Sequence, residues 1–305
     1  MDKNFVGNQP AYVLIANHVA RREPGPMILQ GSCGLGKLFA AKAAASALLC
    51  TPIDRLGLHS DYFLLDKAND VIKVEDIQVL LERSSVSSVS GRKVFIIRNA
   101  ENMNVQSQNK LLKLLEDRNR TNQMILTCNR GLLLDTIISR CNVIPFYSLP
   151  YKEMEEYLEC LGVEPEGVHL AAYLCEYGPY NWEGTASCYG DLRTVYLRLL
   201  GMKKKEDIFR VLHLFLEKDP KSFYEVHSKH LLAGLQMLQY IFYHMTLLKL
   251  GDNLPELVEA ELAGLARLYS LPQAFAACAM IEKHKYMAVQ KYTKNDFFDL
   301  VRCLV

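Results

Sequence analysis

The stretch Met27-Ile28-Leu29-Gln30-Gly31-Ser32-Cys33-Gly34-Leu35-Gly36-Lys37 decides the fold of this chain. A short apolar run stops at Gly31, and the pattern G-x-x-x-x-G-K leads into a helix rich in alanine and leucine, predicted for residues 37–50. In such a loop the glycines let backbone N–H groups face a phosphate at the helix N-terminus, and the lysine reaches the phosphate oxygens. The order of strand, loop and helix therefore predicts a phosphate-binding loop at residues 31–37, which we call the P-loop. The alternative is a glycine-rich turn that arose by chance.

Further apolar runs predict four more strands in the first half of the chain. These strands are expected at residues 62–65, 93–97, 124–127 and 143–146. Helical spacing lies between them, including a helix that runs to Glu116 with Asn104 as its N-cap. Continuous apolar strands that alternate with helices indicate a parallel sheet covered on both faces. Residues 1–150 are therefore expected to form one α/β domain with a five-stranded parallel sheet.

The second half of the chain shows no further strand. Short helices are predicted at residues 151–161, 166–176 and 190–200, and a polar, basic joint follows at 201–207. Helical patterns continue from there to the end. The pattern predicts a small helical domain over residues 151–203 and an all-α domain over residues 204–305.

Composition excludes several classes of protein. Half of the 305 residues are apolar, and 35 Lys and Arg balance 34 Asp and Glu to a net charge of +1, so the chain is neither disordered nor a general binder of polyanions. It has no apolar run long enough for a membrane span and no signal-peptide pattern, so we expect a cytoplasmic protein. The nine cysteines are scattered without a C-x-x-C pair, which favours reduced, mostly buried thiols and no metal site.

The predicted P-loop lacks the groups that hold magnesium. Leu38 stands where a Ser or Thr hydroxyl would coordinate the ion, and Arg98 and Asn99 follow the strand at 93–97 where carboxylates are needed. Glu101 is displaced by two residues and is expected to face solvent or pair locally. We therefore expect no hydrolysis of ATP at this site.

Several motifs together resemble the bacterial clamp-loader family of AAA+ proteins. They are the degenerate P-loop and the runs at residues 93–104, 108–116, 125–129 and 138–141. The resemblance implies an AAA+ P-loop domain, a helical lid domain and a helical collar through which subunits assemble. It also implies partners: ATPase subunits of the gamma/tau type, delta-like subunits, the sliding clamp indirectly, and primed DNA.

The resemblance assigns roles to particular residues. Ser139, Arg140 and Cys141 match the family's SRC motif, in which the arginine reaches ATP on a neighbouring subunit; the alternative is an ordinary surface arginine. Asn129 and Arg193 match the two sensor positions, or are relics that stabilise a domain joint. The degenerate nucleotide site would comprise Gly31, Ser32, Gly34, Gly36, Lys37, Leu38, Arg98 and Asn99.

The same resemblance bears on whether the chain binds a metal ion and whether it contacts DNA. Many members insert a four-cysteine zinc module after the first helix, whereas here Cys50 stands alone and His59 and Asp61 cannot complete a site with one thiol. We therefore expect no zinc, and weak or absent binding of ATP and magnesium. A small basic cluster is a candidate contact for DNA phosphates, although a solvated helix face explains it equally well. The cluster consists of Lys110, Lys113, Arg118 and Arg120.

Two functions from different classes remain at this stage. The first is a catalytically silent clamp-loader subunit that acts through its neighbours. The second is an active clamp-loader ATPase of the gamma/tau type, against which Leu38, Arg98 and Asn99 argue. A P-loop switch outside replication is a third, disfavoured by the SRC motif.

Overall fold

The computed structural model describes most of the chain, in two compact units. The described residues are 7–21, 25–67, 70–116, 121–129, 133–175, 178–208, 211–212, 228–254, 256–290 and 294–304. The first unit comprises Met1–Glu153 together with Gly178–Asn181, and the second comprises Met154–Tyr177 and Trp182–Val305. The chain thus returns to the first unit for four residues.

A five-stranded parallel sheet forms the centre of the first unit, as the sequence predicts. Its strands are β1 (Met27–Gln30), β2 (Tyr62–Leu65), β3 (Lys93–Ile97), β4 (Asn122–Cys128) and β5 (Asn142–Pro145). They are ordered β2-β3-β4-β1-β5, and every pair is parallel. Their carboxyl ends share one edge of the sheet, so the segments that follow β1, β3 and β4 lie side by side.

Helices cover both faces of this sheet. They are α1 (Gln9–Val19), α2 (Lys37–Leu49), α3 (Val74–Ser85), α4 (Val105–Leu115) and α5 (Asp135–Ile138). Alternate strand residues enter two separate cores, one shared with α1 and α2 and the other with α3 and α4. The Asn104 side chain accepts a hydrogen bond from the Ser107 N–H at 2.8 Å and caps α4, which confirms the predicted cap. Helix α1 was not predicted from the sequence.

The second unit consists of helices and connecting turns, with no strand among its described residues. Its helices are α6 (Tyr151–Cys160), which begins in the first unit, α7 (Pro165–Leu174), α8 (Trp182–Leu200), α9 (Ser228–Leu250), α10 (Glu256–Ala266), α11 (Leu271–Gln290) and α12 (Lys294–Leu304). Leu192 and Tyr196 share one core with Leu238, Leu262 and Ile281, so a single core joins residues on both sides of position 203. The division at that position stays a prediction. None of these described helices is long and apolar enough to cross a membrane.

Two expectations about the chain were wrong in detail. Helix α8 begins at Trp182 rather than at Gly190, because the 3-10 turn Pro179–Asn181 leads straight into it despite the glycines that weaken its first half. Among the eight cysteines that the structure describes, all free, only Cys128 and Cys175 are buried. The exposed ones, including Cys33 and Cys50, lie in loops or at helix ends, where no core is available to cover them.

Candidate functional site

The P-loop connects β1 to α2 at the carboxyl edge of the sheet. The Gly31 N–H continues the sheet pairing by donating to the Cys128 carbonyl at 3.1 Å. Gly34 and Gly36 have φ angles of 74° and 82°, a left-handed conformation that only glycine adopts without strain. The chain then turns directly into α2 at Lys37. The two glycines therefore give the loop the compact shape that brings backbone N–H groups to a helix N-terminus.

Lys37 is turned towards its own loop. Its side chain is only 6% exposed, and the Nζ atom donates to the Gly31 carbonyl at 2.7 Å and the Ser32 carbonyl at 2.5 Å. Burial lowers the pKa of this ammonium group below its usual range. The next residue, Leu38, packs against the core formed by α1, α2 and the sheet. Lys37 thus donates to carbonyls of its own loop. Leu38, which stands where a metal ligand is expected, faces apolar side chains instead.

The segment Gly178–Asn181 also contacts the P-loop, which the sequence analysis missed. The Tyr180 N–H donates to the Gly34 carbonyl at 3.0 Å, and the Asn181 side-chain amide donates to the Cys33 carbonyl at 3.4 Å. In the sequence these residues appeared only as turn formers between two helices. No local pattern indicates a contact with a loop that lies about 145 residues earlier in the chain.

Polar residues meet where β3 and β4 end. The Asn129 N–H donates to a Glu101 carboxylate oxygen at 3.1 Å, and its side-chain amide donates to the Asn99 side-chain oxygen at 3.4 Å. The other Glu101 oxygen is buried without a hydrogen-bond partner. Arg98 instead donates to Asp66 at 2.8 Å. The structure therefore brings together the Glu101 carboxylate and the neutral side-chain amides of Asn99 and Asn129. Arg98 does not join this group, because it forms an ion pair with Asp66.

The SRC motif lies at the end of the short helix α5. The Arg140 side chain is 38% exposed, and its guanidinium donates to the Thr136 carbonyl at 2.9 Å and forms an ion pair with Glu116 at 2.7 Å. Burial raises the pKa of the neighbouring Cys141 thiol to about 12, so this cysteine stays protonated and packs as a small apolar side chain. Arg140 is thus oriented by two contacts while part of its guanidinium faces solvent.

The second sensor candidate and the basic cluster lie outside the P-loop and the SRC motif. Arg193 lies on α8 in the second unit and pairs with Glu164 at 2.6 Å. Lys110 and Lys113 lie on α4, the first half-buried and the second exposed. The other two members of the basic cluster, Arg118 and Arg120, lie outside the described residues.

The residues near the expected zinc position serve the fold. Asp61 is 1% exposed, and its carboxylate accepts hydrogen bonds from the N–H groups of Val89 and Ser90 and from the Ser90 hydroxyl. Burial alone would raise the pKa of Asp61, but these hydrogen bonds outweigh it and hold the pKa below its usual range. Within the described ranges, no three His, Cys, Asp or Glu side chains are grouped as metal ligands would be. Asp61 therefore fixes the loop before β3.

Comparison with known proteins finds sequence relatives for the first unit. Residues 11–150 match the family model described as DNA polymerase III, delta subunit. The DNA polymerase III subunit delta' of Bacillus subtilis is 34% identical over 160 residues, 48% of this chain and 49% of that protein. The subunit of the same name from Pseudomonas aeruginosa is 33% identical over 132 residues, 37% of this chain and 40% of that protein. The match spans about half the length of these curated relatives or less.

A solved structure supports the fold over the whole chain. The DNA polymerase III gamma subunit-related protein from Thermotoga maritima superimposes with a TM-score of 0.55 at 14% identity, covering 96% of this chain and 98% of that one. At that identity the likeness concerns the α/β AAA+ fold alone. It agrees with the parallel sheet of the first unit. Residues 11–150 are therefore similar in sequence to the bacterial clamp-loader family, with delta-prime subunits among the relatives that match.

Proposed function

We propose that this chain is a delta-prime-like clamp-loader subunit of DNA polymerase III with no ATPase activity of its own. It assembles through its helical collar with gamma/tau-like ATPase subunits and a delta-like subunit. It provides Arg140 to ATP bound on a neighbour, and so helps to load the sliding clamp onto primed DNA. The names of the relatives matched by residues 11–150 support this proposal, and the partners follow from it.

The observation that carries the proposal is the geometry of Arg140. A fixed guanidinium stabilises the negative charge that develops on a γ-phosphoryl group during transfer. Glu116 and the Thr136 carbonyl restrict the side chain while part of it remains exposed. A residue that acts on a neighbour's ATP needs this combination of restricted orientation and access from outside.

The chain's own P-loop supports the other half of the proposal. Leu38 has no oxygen to offer a magnesium ion, and Asn99 offers only a neutral amide where a carboxylate is needed. Arg98 adds a positive charge at the same edge of the sheet. We propose accordingly that neither magnesium nor zinc is a resident cofactor. Lys110 and Lys113 are the described candidates for contacts with DNA phosphates.

The test is ATP turnover in the complex reconstituted with its ATPase subunits. Arg140→Ala should lower turnover at the one interface that it serves by about 10³-fold. Total turnover then falls by the share of that site, and assembly measured by gel filtration is unchanged. Arg55→Ala, which removes another exposed arginine of the first unit, is the matched control and should leave turnover as it was. Unchanged turnover with Arg140→Ala in an assembled complex would contradict the proposed role.

The retained Lys37 and glycine pattern favour a second candidate, an active gamma/tau-type ATPase. The isolated chain distinguishes the two. Hydrolysis of ATP with magnesium by the chain alone would support the second candidate, and its absence supports the first.

A further inference from the structure

The P-loop is closed by contacts made within the chain itself. Lys37 bonds the carbonyls of Gly31 and Ser32, and residues 178–181 bond the next two carbonyls, those of Cys33 and Gly34. Four consecutive acceptors of the loop are therefore occupied. Gly178 and Pro179, which begin the contacting segment, are both buried. The loop is thus held in one conformation from both of its sides.

The two segments approach so closely that glycine is required on both. A Cβ atom added to Gly34 would lie 2.2 Å from the Asn181 side chain, and one added to Gly36 would lie 2.5 Å from the Tyr180 ring. A Cβ on Gly178 would lie 2.9 Å from the Cys33 carbonyl oxygen. The glycine spacing that predicted close approach of a phosphate is therefore also the spacing that admits the chain's own Tyr180 and Asn181.

Aromatic contacts anchor the segment beyond the loop. The Tyr180 ring stacks on Phe39 of α2, with 6.2 Å between ring centroids and 26° between ring planes. Its hydroxyl faces that of Tyr12 on α1, and burial raises the pKa of both phenols. The ring thus lies at the N-terminus of α2, against Gly36, where the loop passes into the helix.

We propose that Gly178–Asn181 is an autoinhibitory latch that keeps ATP from the P-loop. A phosphate that reached the loop's N–H groups would receive from Lys37 only the one ammonium hydrogen that the Gly31 and Ser32 carbonyls leave over. It would also have to displace Tyr180 from Gly36. The latch therefore blocks nucleotide binding as such, before any question of magnesium or hydrolysis arises. It concerns this chain's own loop, so it stands or falls independently of Arg140.

The latch makes a quantitative prediction about affinity. A site that is open in only a small fraction of molecules binds its ligand more weakly by that fraction. Tyr180→Ala/Asn181→Ala removes the stacked ring and the side-chain amide, while the glycines and Lys37 remain. This double variant should bind ATP at least tenfold more tightly than the unaltered chain. The gain should be the same in EDTA as in magnesium, because Leu38 and Asn99 are unchanged.

Isothermal titration of the full chain with ATP tests this. Tyr147→Ala removes a tyrosine side chain that is 70% exposed, and is the matched control that should bind as the unaltered chain does. Adding Lys37→Met to the latch variant should abolish the gain, which shows that the ATP lies in the P-loop. Equal affinity of the folded latch variant and the unaltered chain would overturn the proposal, and so would a gain that survives Lys37→Met.

A milder variant covers the case in which the double variant does not fold. Asn181→Ala removes only the 3.4 Å bond to the Cys33 carbonyl and leaves the Tyr180 ring in place. It should show a smaller gain in the same direction, at least twofold. No gain in a folded Asn181→Ala chain would then overturn the latch. Turnover in the Arg140→Ala complex answers the separate question of function.

Discussion

Two lysines of the first unit, Lys37 and Lys93, have nearly the same surroundings at different places on the sheet. Their exposed fractions are 6% and 3%, and each ammonium group donates to two main-chain carbonyls. Lys37 holds the P-loop, where it follows β1. Lys93 starts β3 and bonds the carbonyls of Arg83 and Val86 at the end of α3. The difference between them lies in the motif that surrounds Lys37.

The comparison shows that the place of a lysine in a sequence motif does not determine the contacts that its side chain makes in the structure. The sequence pattern assigns Lys37 to phosphate and gives no role to Lys93. In the structure both act as buried clamps on loop or helix-end carbonyls, which would otherwise lack a donor. Lys37 has the contacts of a structural lysine in a loop that has the shape of a nucleotide site.

The largest expected effect is on stability, and it tests whether the two lysines are equivalent. Lys37→Met and Lys93→Met each leave two carbonyls without their donor, and each should lower the free energy of unfolding by about 1–3 kcal/mol. Urea denaturation of the full chain measures this. Lys113→Met, on the exposed face of α4, is the control and should stay within about 0.5 kcal/mol of the unaltered chain.

A difference between the two variants would break the comparison. If Lys93→Met destabilises the chain and Lys37→Met does not, the bonds from Lys37 to its loop contribute nothing, and the lysine is retained for a ligand instead.

A smaller effect concerns pH and sharpens the comparison. Because burial lowers the pKa of Lys37, the unfolded chain holds this proton more tightly than the folded chain does. Stability from this group therefore rises as pH increases through the folded pKa towards the unfolded one. A neutral amine still has two hydrogens for the two carbonyls, so both hydrogen bonds can persist, although without the assistance of the charge. Relative to Lys37→Met, the unaltered chain should gain stability as the pH rises towards about 10, the ordinary pKa of a lysine, and an unchanged difference would argue against the burial.

For the last variant we expect no change in ATP turnover. Leu38→Thr restores one magnesium ligand, but Arg98 and Asn99 still occupy the positions where carboxylates are needed, and Lys37 remains bonded to its own loop. ATP turnover by the isolated Leu38→Thr chain should stay at the background of the unaltered protein. Measurable turnover in this variant would show that some other residue completes the site, and Lys37 would then differ from Lys93 in function.

Much of the first unit's fold can be predicted from its sequence, because each buried strand corresponds to an apolar run bounded by glycine or polar residues. The order of the strands does not follow, since β4 lies between β3 and β1 and no run of residues specifies its neighbours. Helix α8 shows a second limit. Glycines at 184 and 190 weaken its first half, and packing in the second unit outweighs their cost.

The candidate site divides in the same way. The P-loop and its missing ligands could be predicted because they lie in consecutive residues, whereas the contact of Tyr180 with Gly36 joins residues 144 positions apart. The sequence placed Glu101 out of position but left open whether it faces solvent or pairs locally. Its bond to the Asn129 N–H depends on β3 and β4 being neighbours. Residues that act through distant pairing leave no periodic signal to detect.

The return of Gly178–Asn181 to the first unit has a consequence for the order of synthesis. The last strand of the sheet ends at Pro145, and the ribosome must add roughly 36 more residues before Asn181 exists. At about 5–20 residues per second this interval lasts about 2 to 7 seconds. The last strand leaves the ribosome earlier than Asn181 by the same interval, so a nascent chain can form its sheet before it can close its P-loop. The first unit is therefore completed by residues made late, and its P-loop lacks the contacts of residues 178–181 until they are added.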